Sequence, residues 1–214
     1  MSFPVMLSEL SEGMLKSVGI FVLTLIFSLP LGLVVAFGRM SKNKIVSGII
    51  GFLISILRGT PLMLQLLVVY FFPYYLFGWS IGGWRFPAII VGFSINYAAY
   101  FAEIYRSGIE AIPKGQHEAA QILGYTKVQT FFRIILPQVI KIILPAITNE
   151  IITLVKDTSL AFSLSYMEMF TIAKQIAAAN TTFMPFVVSA VFYYVFNFVV
   201  AFVMRRMEKR MAYY

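Results

Sequence analysis

No cysteine occurs in this chain, which excludes disulfides and thiolate metal sites. A single histidine and scattered acids offer no metal-ligand spacing, so no metal site is expected. Neither Gly-x-Gly-x-x-Gly nor a Walker-type phosphate loop is present, so the chain by itself is expected to hold no nucleotide or other cofactor. Charge is scarce too: 12% of residues carry it, against 60% hydrophobic and a mean hydropathy of +0.85. A soluble domain carries about 25% charged residues, so lipid must solvate most of this exterior.

What the chain has instead is long, continuous apolar runs, which in a bilayer form helices rather than an alternating β-barrel. The reading is an all-α membrane protein, residues 1–214 forming one transmembrane domain with spans at 14–38, 44–76, 86–107, 133–156 and 183–204. The first run is too long for a signal peptide, and no small-x-small cleavage pattern follows it.

Basic residues set the orientation. Arg39, Lys42 and Lys44 follow the first span; Arg106, Lys114, Lys127, Arg133 and Lys141 surround a polar central stretch; Arg205, Arg206, Lys209 and Arg210 close the chain. If these regions are cytoplasmic, the other side keeps only Lys16, Arg85, Lys156 and Lys174, with Arg58 inside the membrane. The N-terminus is therefore expected outside and the C-terminus in the cytoplasm. The net charge of +8 reads as this bias and not as a nucleic-acid footprint.

Two segments depart from plain spans. The run 44–76 would reach roughly 50 Å as one helix, beyond a hydrocarbon core of about 30 Å. Gly59-Thr60-Pro61 offers a break, with Gly stopping one helix, Thr60 as N-cap and Pro61 opening the next. The stretch 158–182 holds Glu168, Lys174, Gln175 and Asn180 and would reverse the basic tail if it crossed. It is expected as a short helix near the outer surface or dipping partway in.

The polar stretch "HEAAQILGYTKVQTFFRIILPQ" (117–138) repeats apolar residues at helical spacing, with Glu118, Gln121, Lys127 and Gln129 between them. It predicts an amphipathic helix pair, started near Pro113, split at Gly124 and kinked at Pro137. Amphipathicity alone also fits an ordinary helical loop. The register adds more: Glu118-Ala119-Ala120, three residues, Gly124, nine residues, then Ile134-x-Leu136-Pro137.

That spacing resembles the signature of membrane subunits of ABC importers, the EAA loop, in full. "GTPLMLQL", "YFAEIYRSGI", "IPKGQHEAA" and "NEIITLVKDTSLAF" extend the resemblance across most of the chain, towards permeases for polar amino acids. The resemblance implies a type I ABC importer permease in a prokaryotic cytoplasmic (inner) membrane. It implies an ABC ATPase dimer that binds ATP and Mg, a second permease subunit (an identical copy or a sister chain), and an extracytoplasmic amino-acid-binding protein. Residues 111–133 would be the cytoplasmic coupling helices lodged in an ATPase groove, with Gln116, His117, Glu118, Ala119, Ala120, Gly124 and Tyr125 at the contact.

Charges inside spans are costly and become candidates for function. Arg58 lies roughly 21 Å along the second segment, beyond the bilayer midplane. A half-helix starting beside it would present free N–H groups to a carboxylate. Gly59, Thr60, Pro61 and Gln65 belong to that break, and Asn96, Tyr97, Tyr100, Ser163 and Tyr166 are polar candidates for the same cavity. Glu103 joins the candidates, although an i,i+3 pair with Arg106 explains it equally. Glu150 and Asp157 on the fourth span would suit a cationic side chain, so the expected cargo is arginine, lysine or histidine, with glutamine or another polar amino acid as the alternative. Other transporters need their own energy coupling, and no inverted repeat is visible. A membrane-embedded enzyme would need a catalytic constellation that these residues do not supply, and a structural or receptor subunit would leave the loop signature unexplained.

Overall fold

A computed structural model describes residues 2–211; Met1 and residues 212–214 of the expected domain lie outside the described residues. The described chain is helical throughout. It runs through α1 (Phe3–Arg39), α2 (Lys44–Gly59), α3 (Leu62–Phe77), α4 (Arg85–Glu110), α5 (Lys114–Ile122), α6 (Lys127–Thr130), α7 (Leu136–Asp157), α8 (Met169–Asn180) and α9 (Met184–Met211). A π-helical turn (Phe131–Ile135) joins α6 to α7, and a 3₁₀ segment (Thr158–Leu164) follows α7.

Four helical runs are long and apolar enough to cross a membrane: Phe3–Arg39, Arg85–Glu110, Lys127–Leu164 and Met184–Met211. The expected span at 44–76 is not one helix. It is α2 and α3, 16 residues each, bent by 112° where they meet. Each arm is about 24 Å long, short of a hydrocarbon core of about 30 Å, so a fifth span exists only as the bent pair.

The helix that carries the expected span at 14–38 begins ahead of it, at Phe3. Ser8, Glu9, Ser11 and Glu12 make this stretch polar, but Met6, Leu10 and Met14 form a buried stripe one turn apart. That stripe packs on Met169, Ile172, Ala173 and Ile176 of α8. Gly13 makes the crossing close, since a Cβ there would stand 2.7 Å from Met169 Cα. As expected, α8 is short, and it lies against the N-terminal half of α1 instead of forming a sixth span.

The core surrounds α4. Ile89, Phe93, Tyr97 and Phe101 are buried against Ile20 and Phe21 of α1, Leu66 of α3, and Leu144, Ile151 and Leu154 of α7. At Gly32 of α1 a Cβ would come within 2.8 Å of Phe101 Cβ, so a bare backbone lets α1 and α4 meet. By contrast α9 buries only Pro185, Ser189 and Met204, leaving Val191, Val195, Phe198 and Phe202 exposed, as suits a lipid-facing helix.

Pro137 is tied to the widened turn before α7. A proline lacks an N–H and its ring crowds the carbonyl four residues back, which the π turn accommodates. The Gln138 amide donates to the Ile134 carbonyl at 2.8 Å, partnering a carbonyl of that turn.

Candidate functional site

The break between α2 and α3 is held by side chains from both sides. Ending α2 strands its last carbonyls, which require donors. The Gln65 amide reaches Leu57 O at 2.8 Å, Thr60 O at 3.1 Å and Thr60 Oγ1 at 2.9 Å. The buried Asn96 of α4 donates to Leu57 O at 3.1 Å and to Gln65 Oε1 at 3.0 Å. Thr60 corrects its expected role as N-cap of α3. Its hydroxyl turns back and donates to Ile56 O at 2.8 Å, while Pro61 occupies the cap position. The reason is local competition: a threonine hydroxyl satisfies the nearest free acceptor, and here that is the end of α2.

Beside the break lies a cavity of about 120 Å³, lined by Thr60, Leu62, Asn96, Tyr97, Tyr100, Glu150, Thr153 and Asp157. It unites three segments that are far apart in the chain. Of the residues expected at a site it gathers Thr60, Asn96, Tyr97, Tyr100, Glu150 and Asp157. Gly59, Pro61 and Gln65 belong to the adjoining break, and Ser163 and Glu103 are outside the lining. The Tyr97 hydroxyl donates to Asp157 Oδ2 at 2.7 Å, fixing one carboxylate in the wall. Arg58 lies over the ring of Tyr100, 5.1 Å from its centroid, and has no ion-pair partner within 4.0 Å among the described residues. Two carboxylates and no cation thus line the cavity, while an unpaired guanidinium stands on one of its tyrosines.

Glu103 is occupied elsewhere. Its carboxylate takes Arg106 at 2.7 Å, the expected i,i+3 pair, and faces Arg39 of α1 at 3.9 Å. Arg106 also holds Glu110 at 2.5 Å.

The loop α5–α6 is built from its own sequence. Pro113 is the N-cap of α5. The helix ends where Gly124 adopts φ +77°, with Tyr125 N–H bonding to Ala120 O at 3.0 Å, a Schellman closure that needs a residue without Cβ. A capping box follows at once. Thr126 Oγ1 accepts from Gln129 N at 3.3 Å and Gln129 Oε1 accepts from Thr126 N at 2.9 Å. The spacing Thr-x-x-Gln is readable in the sequence, yet α6 is no separate helix of a pair. It is the first turn of the continuous run Lys127–Leu164, because nothing between Thr130 and Leu136 interrupts helical backbone bonding except the π turn.

Ala120 is buried in this loop, whereas Gln116, His117, Glu118 and Ala119 are exposed. Ile122 is 87% and Leu123 72% exposed, with Val128 at 66% and Phe132 at 60%. Aliphatic and aromatic side chains presented this openly on a polar loop mark a surface made to be covered. Beside them His117, Gln121, Lys127, Thr130 and Phe131 line a notch of about 280 Å³ between α5 and α6.

A family described as the binding-protein-dependent transport system inner membrane component matches residues 28–213. The chain belongs to that family. It is a multi-pass inner-membrane permease with the type I ABC importer fold, and such a component is not the ATP-hydrolysing part of its transporter. The chain is 35% identical to an L-cystine transport system permease protein of Bacillus subtilis, over 94% of this chain and 86% of that one. It is 37% identical to an arginine transport system permease protein of the same organism and 38% to a putative glutamine transport system permease protein of Rickettsia bellii, each over 94% of this chain and 91% of the relative. Among solved structures, an amino acid ABC transporter with histidines superposes with a TM-score of 0.86 at 30% identity, covering 98% of this chain and 99% of that one. The permease therefore stands among those of amino-acid ABC importers.

One feature of the permease is buried by helices distant in sequence. Glu168 is fully buried at the N-terminus of α8, accepting from Phe170 N and Thr171 N at 2.7 Å and from Thr171 Oγ1 at 2.8 Å. Tyr193 of α9 donates to it at 3.3 Å and Ser17 of α1 at 3.5 Å. Burial pushes the Glu168 carboxyl above its ordinary range, and these donors oppose the rise.

Proposed function

We propose that the permease imports a basic L-amino acid, arginine, lysine or histidine, by alternating access. The cargo carboxylate would lie near Arg58 and the start of α3, and its cationic side chain near Glu150 and Asp157. The observation that carries this reading is the pair of carboxylates lining one cavity that holds no cation of its own. A positive side chain offsets the charge of these half-buried carboxylates inside the cavity, whereas a neutral amide does not.

The same reading sets the permease with its N-terminus outside and C-terminus in the cytoplasm. Residues 111–133 then face the ATPase dimer, which holds ATP and Mg, and their exposed Ile122, Leu123 and Val128 fill its groove. A second permease, identical or a sister chain, completes the path, and an extracytoplasmic binding protein delivers the amino acid. Glu150→Gln tests the cargo in proteoliposomes containing the assembled transporter. Arginine uptake is expected to fall about tenfold, the scale of one charge-assisted contact, with glutamine uptake no lower. Equal transport of arginine and glutamine by both forms would sink the reading and favour a neutral polar cargo.

A further inference from the structure

Along α4, polar side chains recur at Asn96, Tyr100, Glu103, Arg106 and Glu110, steps of three and four residues that keep them on one helical face. Each holds something different. Asn96 closes the α2–α3 break and Tyr100 carries Arg58. Glu103 faces Arg39 at the end of α1, and Arg106 ties Glu103 to Glu110, the last residue of α4 before the turn into α5.

Arg39 is itself sewn to α2. Its Nη1 donates to Ser47 Oγ at 2.8 Å, and Ser47 Oγ donates to its carbonyl at 2.6 Å. Gly51 leaves room for the guanidinium, since a Cβ there would stand 3.0 Å from Arg39 Nε. The line runs about 21 Å along a stiff helix, from the break at one end to the root of the exposed loop at the other.

We propose that this α4 stripe couples movement of the docking loop to the α2–α3 break, with Glu103 a positioning residue at its centre and not a ligand of the cargo. Isolated exposed ion pairs contribute little. Here the Glu103 carboxylate is only 18% exposed, bonded to Arg106 of its own helix and 3.9 Å from Arg39 of α1, so an ion pair without a hydrogen bond links the α1–α2 corner to α4. A two-state bend that both ends bias is what physical coupling requires. The break, set at 112° and held by Asn96 on this same face, is placed to serve as that element.

The inference rests on the loop docking to the ATPase. The measurement is amino acid transported per ATP hydrolysed, in proteoliposomes carrying the assembled transporter and its loaded binding protein. Glu103→Gln keeps size and removes charge; the ratio is expected to fall about fivefold or more, with KM for the amino acid unchanged. Glu110→Gln, at the exposed end, should lower the ratio in the same direction by less, and it is the variant to read if Glu103→Gln does not assemble. A raised KM with an unchanged ratio would make Glu103 a cargo residue and overturn the proposal, as would an unchanged ratio in both variants. If the docking reading itself is wrong, loop variants at Ile122 and Leu123 retain the ATPase on co-purification, an outcome separate from either result.

Discussion

The glycine-marked interruptions at Gly124 and at Gly59 are held in opposite ways. At Gly124 the chain closes α5 with a Schellman bond and opens α6 with a Thr126–Gln129 capping box, all within ten residues. At Gly59–Pro61 the stranded carbonyls of α2 depend on Gln65 of the next helix and on Asn96, 39 residues from Leu57. The first is a self-contained bend, suited to a rigid loop that another protein grips. The second is open without its neighbours, suited to a joint whose angle the rest of the bundle sets.

The sharpest way to break that comparison is at Asn96. Asn96→Leu leaves Gln65 Oε1 without its donor and Leu57 O with the Gln65 amide alone, a loss of about 2 kcal/mol. Thermal melting of the purified transporter should fall by several degrees and uptake should collapse, while the ATPase still co-purifies because the loop is untouched. Gly124→Val attacks the other interruption. A β-branched residue at φ +77° costs about 1–2 kcal/mol, so the ATPase should be lost on co-purification while melting of the permease changes less than with Asn96→Leu. Thr126→Ala removes half the capping box, worth about 1 kcal/mol, and should weaken ATPase retention only at raised salt or temperature. If Asn96→Leu released the ATPase as readily as Gly124→Val, the two interruptions would not be held separately.

Legibility in the sequence followed the same division. The α5 turn was readable because Gly124, Thr126 and Gln129 act on their own backbone. Gly59 and Pro61 marked a break for the same reason, and Thr60 turns back to the nearby Ile56 carbonyl, but the other stranded carbonyls need Gln65 and Asn96. The N-terminal half of α1 was missed since its stripe of Met6, Leu10 and Met14 has meaning only against α8. The burial of Glu168 was hidden similarly, because its capping bonds to Phe170 and Thr171 are local but Ser17 and Tyr193 reach it from α1 and α9.

By itself the sequence determined a helical membrane protein, the register of its loop signature and the positions where helices stop. Hydropathy, glycine and proline act through solvation and backbone conformation within a few residues, so they need no distant partner. The tertiary structure alone decided the 112° bend, the approach of Arg39 to Glu103 and the meeting of Tyr97 with Asp157 across 60 residues. Such contacts depend on how helices cross, and the crossing is set by which backbones approach closely, as at Gly13 and Gly32.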